Sequence, residues 1–270
     1  MIILKSAEEI EKIRASCRLV AETLKELEAA IEPGITTLEL DRLAESSIVK
    51  HGALPAFKGY RGFPYTLCAS INEEVVHGFP SKRKLKRGDI ISLDLGVLYD
   101  GYYGDKAITV GVGGVSEEAR RLLEVTRQSL YIGIQQIRVG GNLSDISHAI
   151  QSYAEGYGYS VVRDFVGHGI GAKLHEEPQI PNFGPPGKGP KLRPGMVLAI
   201  EPMVNVGGSE VKILEDNWTA VTKDQKLSAH FEHTVAVTSE GVDILSESDL
   251  SKRTSQRENG RGVYAERRSH

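Results

Sequence analysis

Asp94, Asp105, His168, Glu201 and Glu232 are the residues whose types and surroundings carry the chemistry of this chain. Asp100-Gly101 is a two-residue hairpin signal between alternating segments. With that dipeptide as the loop, Tyr99 faces Tyr102 and Asp94 faces Ala107. Asp105 then lies diagonally from Asp94 on the same face, at most ~7–8 Å away and within side-chain reach. Ile91, Leu93, Leu95 and Val97 fall on the opposite face by the period-two alternation of a strand. Two carboxylates held this close repel unless a proton or a cation sits between them. The alternative is a pair of solvent-exposed strand aspartates, which the depletion of Asp in strands weakens.

Glu201 stands in Val197-Leu198-Ala199-Ile200-Glu201-Pro202-Met203, a run otherwise apolar enough that its glutamate is either exposed or coordinating. Glu232 stands in Ala229-His230-Phe231-Glu232-His233-Thr234-Val235, again a carboxylate in a strand-like setting. His168 lies in Gly167-His168-Gly169-Ile170-Gly171, where flanking glycines allow close approach of backbone and metal. Each alone is a weak signal, because lone strand glutamates are mostly surface residues and a His between glycines is mostly a loop residue. As a set they carry four negative charges and one imidazole, which two divalent cations balance. Oxygen-rich ligation with one His and no thiolate suits Mn, Fe(II), Co or Zn in a catalytic site and does not suit a structural zinc site. Paired metals ~3.5–4 Å apart activate a water and polarise a carbonyl, which is hydrolysis. The chain has no G-x-S-x-G nucleophile motif and no P-loop.

These side chains need elements to hold them. Ser6 with Glu9 is a capping box, and Ile10, Ile13, Cys17, Val20, Leu24 and Leu27 recur at helical spacing. Pro33-Gly34 ends that helix, and Thr36 with Glu39 caps a second one that runs to about His51-Gly52. Ser116-Glu117-Glu118 opens a third, predicted to run to about Val139, and Gly140-Gly141 separates it from a fourth that reaches about Gly158. Sliding the first helix pair along the chain lays Ile31 on Ile137, Gly34 on Gly140, Leu40 on Ile146 and Gly52 on Gly158. Each pair precedes a β-rich segment, so the chain reads as a two-fold duplication with helices covering a sheet in each half. Residues 90–99 and 102–110 form one strand pair, and residues 197–206 and 229–238 a second. The fold class is α+β. The boundaries expected are one catalytic domain over residues 1–250, in halves of about 1–112 and 113–250, and a basic tail over 251–270.

The surrounding motifs resemble type I methionine aminopeptidases of the pita-bread metallopeptidase family, in the short bacterial-type form. The resemblance covers nearly all of residues 1–245. It rests on Cys68-Ala69-Ser70-Ile71-Asn72-Glu73, Val76-His77-Gly78-Phe79-Pro80, Asp94-Leu95-Gly96, Gly104-Asp105 and Gly167-His168-Gly169-Ile170-Gly171. It continues through His175-Glu176-Glu177-Pro178, Ile200-Glu201-Pro202-Met203 and Phe231-Glu232-His233-Thr234. The resemblance implies a pita-bread fold with pseudo-two-fold halves and helices over a curved β-sheet. It implies that Asp94 holds one metal, that His168 and Glu201 hold the other, and that Asp105 and Glu232 bridge them. It implies attack of an activated water on the first peptide bond, with Glu201 relaying a proton. His175 would hydrogen-bond the substrate and the tetrahedral intermediate, and His77 would lie near the second substrate residue. Tyr60, Phe63, Cys68, Leu174 and Trp218 would line the methionine pocket, since a thioether favours aromatic rings and soft sulfur. Phe57 and Leu174 depart from the Cys and Phe found there in some relatives, which puts the pocket's shape in question but not its apolar character.

The implied activity is removal of the initiator methionine from nascent N-termini whose second residue is small, with two divalent ions as cofactors. A proline-specific aminopeptidase of the same fold is the first alternative. Such enzymes usually carry a further N-terminal domain, whereas this chain is read as starting with the catalytic unit. A non-enzymatic binding homologue is the second, and the presence of all five ligand positions speaks against it. A net charge of −3 over 270 residues suggests neither DNA nor a membrane surface as partner. No window approaches the ~18 apolar residues of a membrane span. Two cysteines at unrelated spacing and an N-terminus without signal-peptide order suggest the cytoplasm. A monomer is expected. The run Lys82-Arg83-Lys84-Leu85-Lys86-Arg87 reads as a solvated loop, with ribosomal RNA as the alternative partner.

Overall fold

Ser6 and Thr36 each accept the N–H of the residue three places on, Glu9 and Glu39, whose carboxylates return to the capping residue's own N–H. These reciprocal bonds satisfy N–H groups that a helix start leaves without partners, and they open α1 (Ala7–Ala30) and α2 (Thr37–Lys50). The computed structural model describes residues 1–247, so the basic tail expected over residues 251–270 lies outside the described residues. Val20, Leu24 and Leu27 of α1 form one buried cluster with Leu93, Leu95 and Val97. That cluster is the helical stripe meeting the apolar strand face anticipated from alternation.

The strands that matter for the site are β1 (Cys68–Ile71), β2 (Ile90–Tyr99), β3 (Tyr102–Gly111), β4 (Gly167–Gly169) and β5 (Glu176–Ile180). They are followed by β6 (Val197–Ile200), β7 (Met203–Asn205), β8 (Ser228–His230) and β9 (His233–Thr238). The β2–β3 hairpin has the predicted register, with Tyr99 opposite Tyr102, Asp94 opposite Ala107 and Asp105 opposite Gly96. Asp100 and Gly101 sit at φ 48° and 80°, the left-handed values that this turn demands. β1 flanks β2 on its other side and sets Cys68 opposite Asp94. In the second sheet β9 pairs β6, β6 pairs β4 and β4 pairs β5, all antiparallel.

The second helix pair repeats the arrangement. Asn142 and Asp145 make a capping box at the start of α4 (Leu143–Gly156), and α3 (Glu117–Ile134) is capped by Ser116. Ile134, Ile146 and Ile150 share a buried cluster with Leu198, Val204 and Val235 of the second set of strands.

Two expectations need correction. The third helix stops at Ile134, not Val139. There the bonding tightens to three-residue turns, Gln136 N–H to Gly133 and Ile137 N–H to Ile134, which buries Ile137 and leaves Val139 half exposed. The segments 197–206 and 229–238 are not continuous strands either. Each is broken at its glutamate, between β6 and β7 and between β8 and β9. Pro202 has no N–H for a ladder, and Glu232 N–H donates to Ala107 O of β3 at 2.9 Å. The chain therefore changes partners at these two positions, and the glutamates leave the pleat that alternation would impose.

α1 lies directly on β3. A Cβ at Gly104 would stand 2.5 Å from Cys17 N and 2.7 Å from Ser16 C, both backbone atoms that cannot rotate aside. Ser16 Oγ also donates to Tyr102 O at 2.8 Å. Gly104→Ala should therefore push α1 off the strand that carries Asp105, with a loss of about 1–3 kcal/mol in denaturant unfolding as for other overpacked sites. An unchanged unfolding midpoint would show that the helix can shift freely.

Candidate metal centre

The five side chains singled out in the sequence line one cavity of about 160 Å³. Asp94 and Asp105 reach it from the β2–β3 hairpin, His168 from β4, and Glu201 and Glu232 from the two strand breaks. Ligand atoms of Asp105, His168 and Glu232 lie within 4.8 Å of one another, and all three residues are buried. His168 Nε2 lies 3.5 Å from Glu201 Oε1.

The backbone around each carboxylate is tied down. Thr234 Oγ1 donates to Asp105 O at 2.8 Å, which joins β3 to β9 beside Glu232. Asn182 Nδ2 donates to Glu201 O at 3.0 Å. Nδ1 of His168 lies 2.9 Å from Gly169 O, a contact only an N–H can make, so Nε2 carries the free lone pair and faces the carboxylates. Metal-binding imidazoles are commonly oriented through their other nitrogen in this way.

The electrostatics require a counter-charge. Burial pushes the Asp94 carboxyl up to about 7. Burial, then the neighbouring carboxylates, pushes Asp105 and Glu232 well above the ordinary range, and Glu201 is raised by burial and then by Asp94. Asp94 Oδ1 and Glu232 Oε1 are buried without a hydrogen-bond partner. Buried carboxylate oxygens without donors are costly, and divalent cations reverse the balance by favouring the ionised forms. The donor set, its charge and its two orphaned oxygens therefore fit divalent cations. His168 is lowered to about 4 by burial, so its contact with Glu201 at neutral pH is made by a neutral imidazole and is not an ion pair.

Beyond the carboxylates the same cavity is walled by Tyr60, Phe63, Cys68, Leu174 and Trp218, all five of the residues expected for an apolar pocket. Phe63 packs edge-on to Trp218 with ring centroids 5.2 Å apart. Both histidines assigned auxiliary roles also line it. His175 lies 4.2 Å from His168 between ring centroids, and its Nδ1 is 2.8 Å from Tyr60 Oη. His77 sits edge-on to Trp218 at 6.0 Å. Burial lowers His77 to about 4, and His175, though exposed at the cavity mouth, is lowered as well by its partial burial and by His168 and Arg61 nearby, so both rings are neutral at pH 7.

Sequence reasoning missed Asn182 and Thr234 as supports, Arg61 at the cavity wall and the pairing of Tyr60 with His175. None stands at a local spacing from its partner that would have signalled it. The run 82–87 faces solvent except Leu85, and Arg83 is paired with Glu74 at 3.1 Å. Among the described residues no helix is long and apolar enough to cross a membrane.

Residues 11–239 match the profile of "Metallopeptidase family M24". The chain is 57% identical to "Methionine aminopeptidase 1" of Bacillus subtilis over 91% of its own length and 99% of that protein. The solved methionine aminopeptidase of Thermotoga maritima superposes with TM-score 0.90 at 48% identity, covering 92% of this chain and all of that one. The prolidase of Pyrococcus furiosus has the same fold at TM-score 0.76 and 24% identity, with only 66% of its length covered. A five-residue acidic and imidazole cluster, held on strands and at two strand breaks of an α+β pita-bread fold, thus comes with relatives that match about nine-tenths of the chain, and the chain belongs to metallopeptidase family M24.

Proposed function

We propose that this chain removes the initiator methionine from nascent proteins whose second residue is small. The observation that carries the reading is the meeting of Asp94, Asp105, His168, Glu201 and Glu232 at one end of a cavity otherwise walled by aromatic rings, a thiol and a leucine. Identity of 57% to a protein named methionine aminopeptidase favours methionine over proline specificity. Asp94 would hold one cation and His168 with Glu201 the other, with Asp105 and Glu232 shared between them; Co, Mn, Fe(II) and Zn would all suit these donors. When bound, the pair lowers the pKa of a shared water and polarises the first peptide carbonyl.

The remaining work belongs to the chain. Glu201 takes the water's proton and delivers it to the leaving amine. With Tyr60 Oη, 2.8 Å away, as donor to His175 Nδ1, the proton of that neutral ring stays on Nε2. Nε2 can then donate to the oxygen on which negative charge develops, an interaction strongest in the transition state. Phe63, Tyr60, Cys68, Leu174 and Trp218 hold the methionine side chain, and His77 stands at the second substrate residue. One catalytic unit over residues 1–250, with halves about 1–112 and 113–250, carries all of these groups. It works as a monomer in the cytoplasm, where nascent chains emerge, and the exposed run 82–87 is a solvated loop or, alternatively, a contact to ribosomal RNA that salt would weaken steeply.

The deciding assay compares Met-Ala-Ser with Xaa-Pro peptides after metal is stripped and each ion is restored. Release of methionine from the former alone is expected, and preference for the latter would move the chain to proline-specific hydrolysis. His175→Ala should lower kcat by about 10²–10³-fold with little change in KM, as when one donor to a developing oxyanion is lost.

A further inference from the structure

A buried ion pair stands against the metal centre without belonging to it. Lys5 Nζ donates to Glu176 Oε2, and the two side chains are only 3% and 4% exposed. Burying two charges together seldom adds stability over apolar residues of the same size, so the pair invites the question of what it holds.

Glu176 directly follows His175. Its Oε1 accepts Lys173 N–H at 3.2 Å, which closes the end of the loop between β4 and β5. At the other end Gly171 N–H donates to Lys173 O at 3.1 Å, and Gly171 O accepts Tyr103 N–H of β3 at 2.8 Å. A Cβ at Gly171 would stand 2.5 Å from Lys5 Cε and 2.8 Å from Glu176 Oε1, so the lysine stem fills the inside of this loop. Lys5 is itself anchored: its N–H donates to Gly195 O at 2.7 Å, and Gly195 N–H donates to Val237 O of β9 at 2.9 Å. A line of contacts therefore runs from the sheet that carries His168, through Lys5 and Glu176, to His175.

We infer that Lys5 and Glu176 are positioning residues that hold His175 against Tyr60 and the metal centre. The inference rests on the reading of His175 given under the proposed function. Neither residue touches the reacting atoms. Without the pair the loop keeps its chain path but loses its internal strut, and the His175 ring moves relative to the carbonyl it must meet. A displacement of about 1 Å at a catalytic group costs on the order of 10²-fold in rate.

The test uses the full chain, metal-reconstituted, on Met-Ala-Ser. Lys5→Met should lower kcat by about 10- to 100-fold while KM changes less than about threefold, the signature of a contact made in the transition state. Lys5→Met leaves a buried carboxylate unpaired and risks the fold. The double variant Lys5→Met with Glu176→Gln removes both charges together, keeps the acceptor for Lys173 N–H and should show the same loss of kcat. Placed on His175→Ala, the double change should cost less than about twofold more, because groups acting as a unit are not additive. Parent-like kcat in the folded double variant, or an equal loss with and without His175, would overturn the inference. Should the parent itself fail to release methionine, the proposed function falls first. The crystal structure of the double variant then decides: an intact contact between His175 Nδ1 and Tyr60 Oη refutes positioning, and a displaced ring upholds it.

Discussion

Asp105→Asn or Glu232→Gln is expected to abolish peptide hydrolysis while leaving the fold intact. Each change swaps one carboxylate oxygen for an amide of the same shape at a position assigned to bridge both cations. The loss in kcat/KM should be at least ~10³-fold, the scale seen when one member of an interdependent catalytic set is removed. The consequence for stability has the opposite sign. Asp105 is raised by burial and then by the charges of Asp94 and Glu201, and Glu232 by burial and then by those of Asp105, Glu201 and Asp94. A neutral amide relieves that repulsion, so the metal-free variants should unfold no earlier than the metal-free parent. The gain in Tm on adding metal should shrink or vanish, because a ligand stabilises only in proportion to its affinity for the folded state. Calorimetry with and without metal measures both effects. A variant that retains the parent's metal-induced gain and its activity would remove Asp105 or Glu232 from the metal centre.

Stripping the metal should make stability fall as pH rises through neutrality, and restoring it should remove that dependence. Asp94 is raised to about 7, against roughly 3.9 for an unfolded aspartate. Asp105, Glu201 and Glu232 are raised in the same direction. A raised folded value means that the folded chain holds protons that the unfolded chain has already released. The stabilisation is therefore complete below the unfolded value and is lost as pH climbs through about 7 for Asp94. His77 and His168, lowered to about 4, act in the contrary sense, but only up to the unfolded histidine value of roughly 6.5. The clean window is thus the narrow one just above the unfolded histidine value and through about 7 for Asp94, where His77 and His168 are largely neutral in both states. There the metal-free chain should lose Tm steadily, whereas the loaded chain should not, since cations keep the carboxylates ionised and protons no longer compete for them. A flat metal-free profile over that window would mean that the carboxylates are solvated and do not share a buried cluster.

The hairpin shows why part of the site could be read without coordinates. Asp100-Gly101 specifies a two-residue turn, a turn specifies register, and register specifies that Asp94 and Asp105 share a face. Capping boxes at Ser6 and Thr36 are equally local, and both helices begin where those residues predict. The end of the third helix is not legible locally, because Gly140-Gly141 is a strong stop signal whereas the helix yields earlier, where Ile137 is buried. Glu201 and Glu232 were assigned to continuous strands because apolar runs cannot reveal a change of partner. Only the bond from Glu232 N–H to Ala107 shows that the strand leaves one sheet for another at the glutamate.

From composition, turn chemistry and motif order alone follow the residue types of the centre, the hairpin that pairs two of them and the hydrolytic class of the chemistry. Each depends on interactions between residues close in the chain, where spacing and geometry are the same thing. Tertiary structure decided the rest: which nitrogen of His168 faces the carboxylates, that Tyr60 meets His175, that Asn182 and Thr234 brace the ligand backbone, and that Lys5 reaches Glu176. Those partners lie far apart in the chain and carry no periodic or spacing signal. They meet because strands and loops from distant parts of the chain converge on one cavity, which local spacing cannot announce.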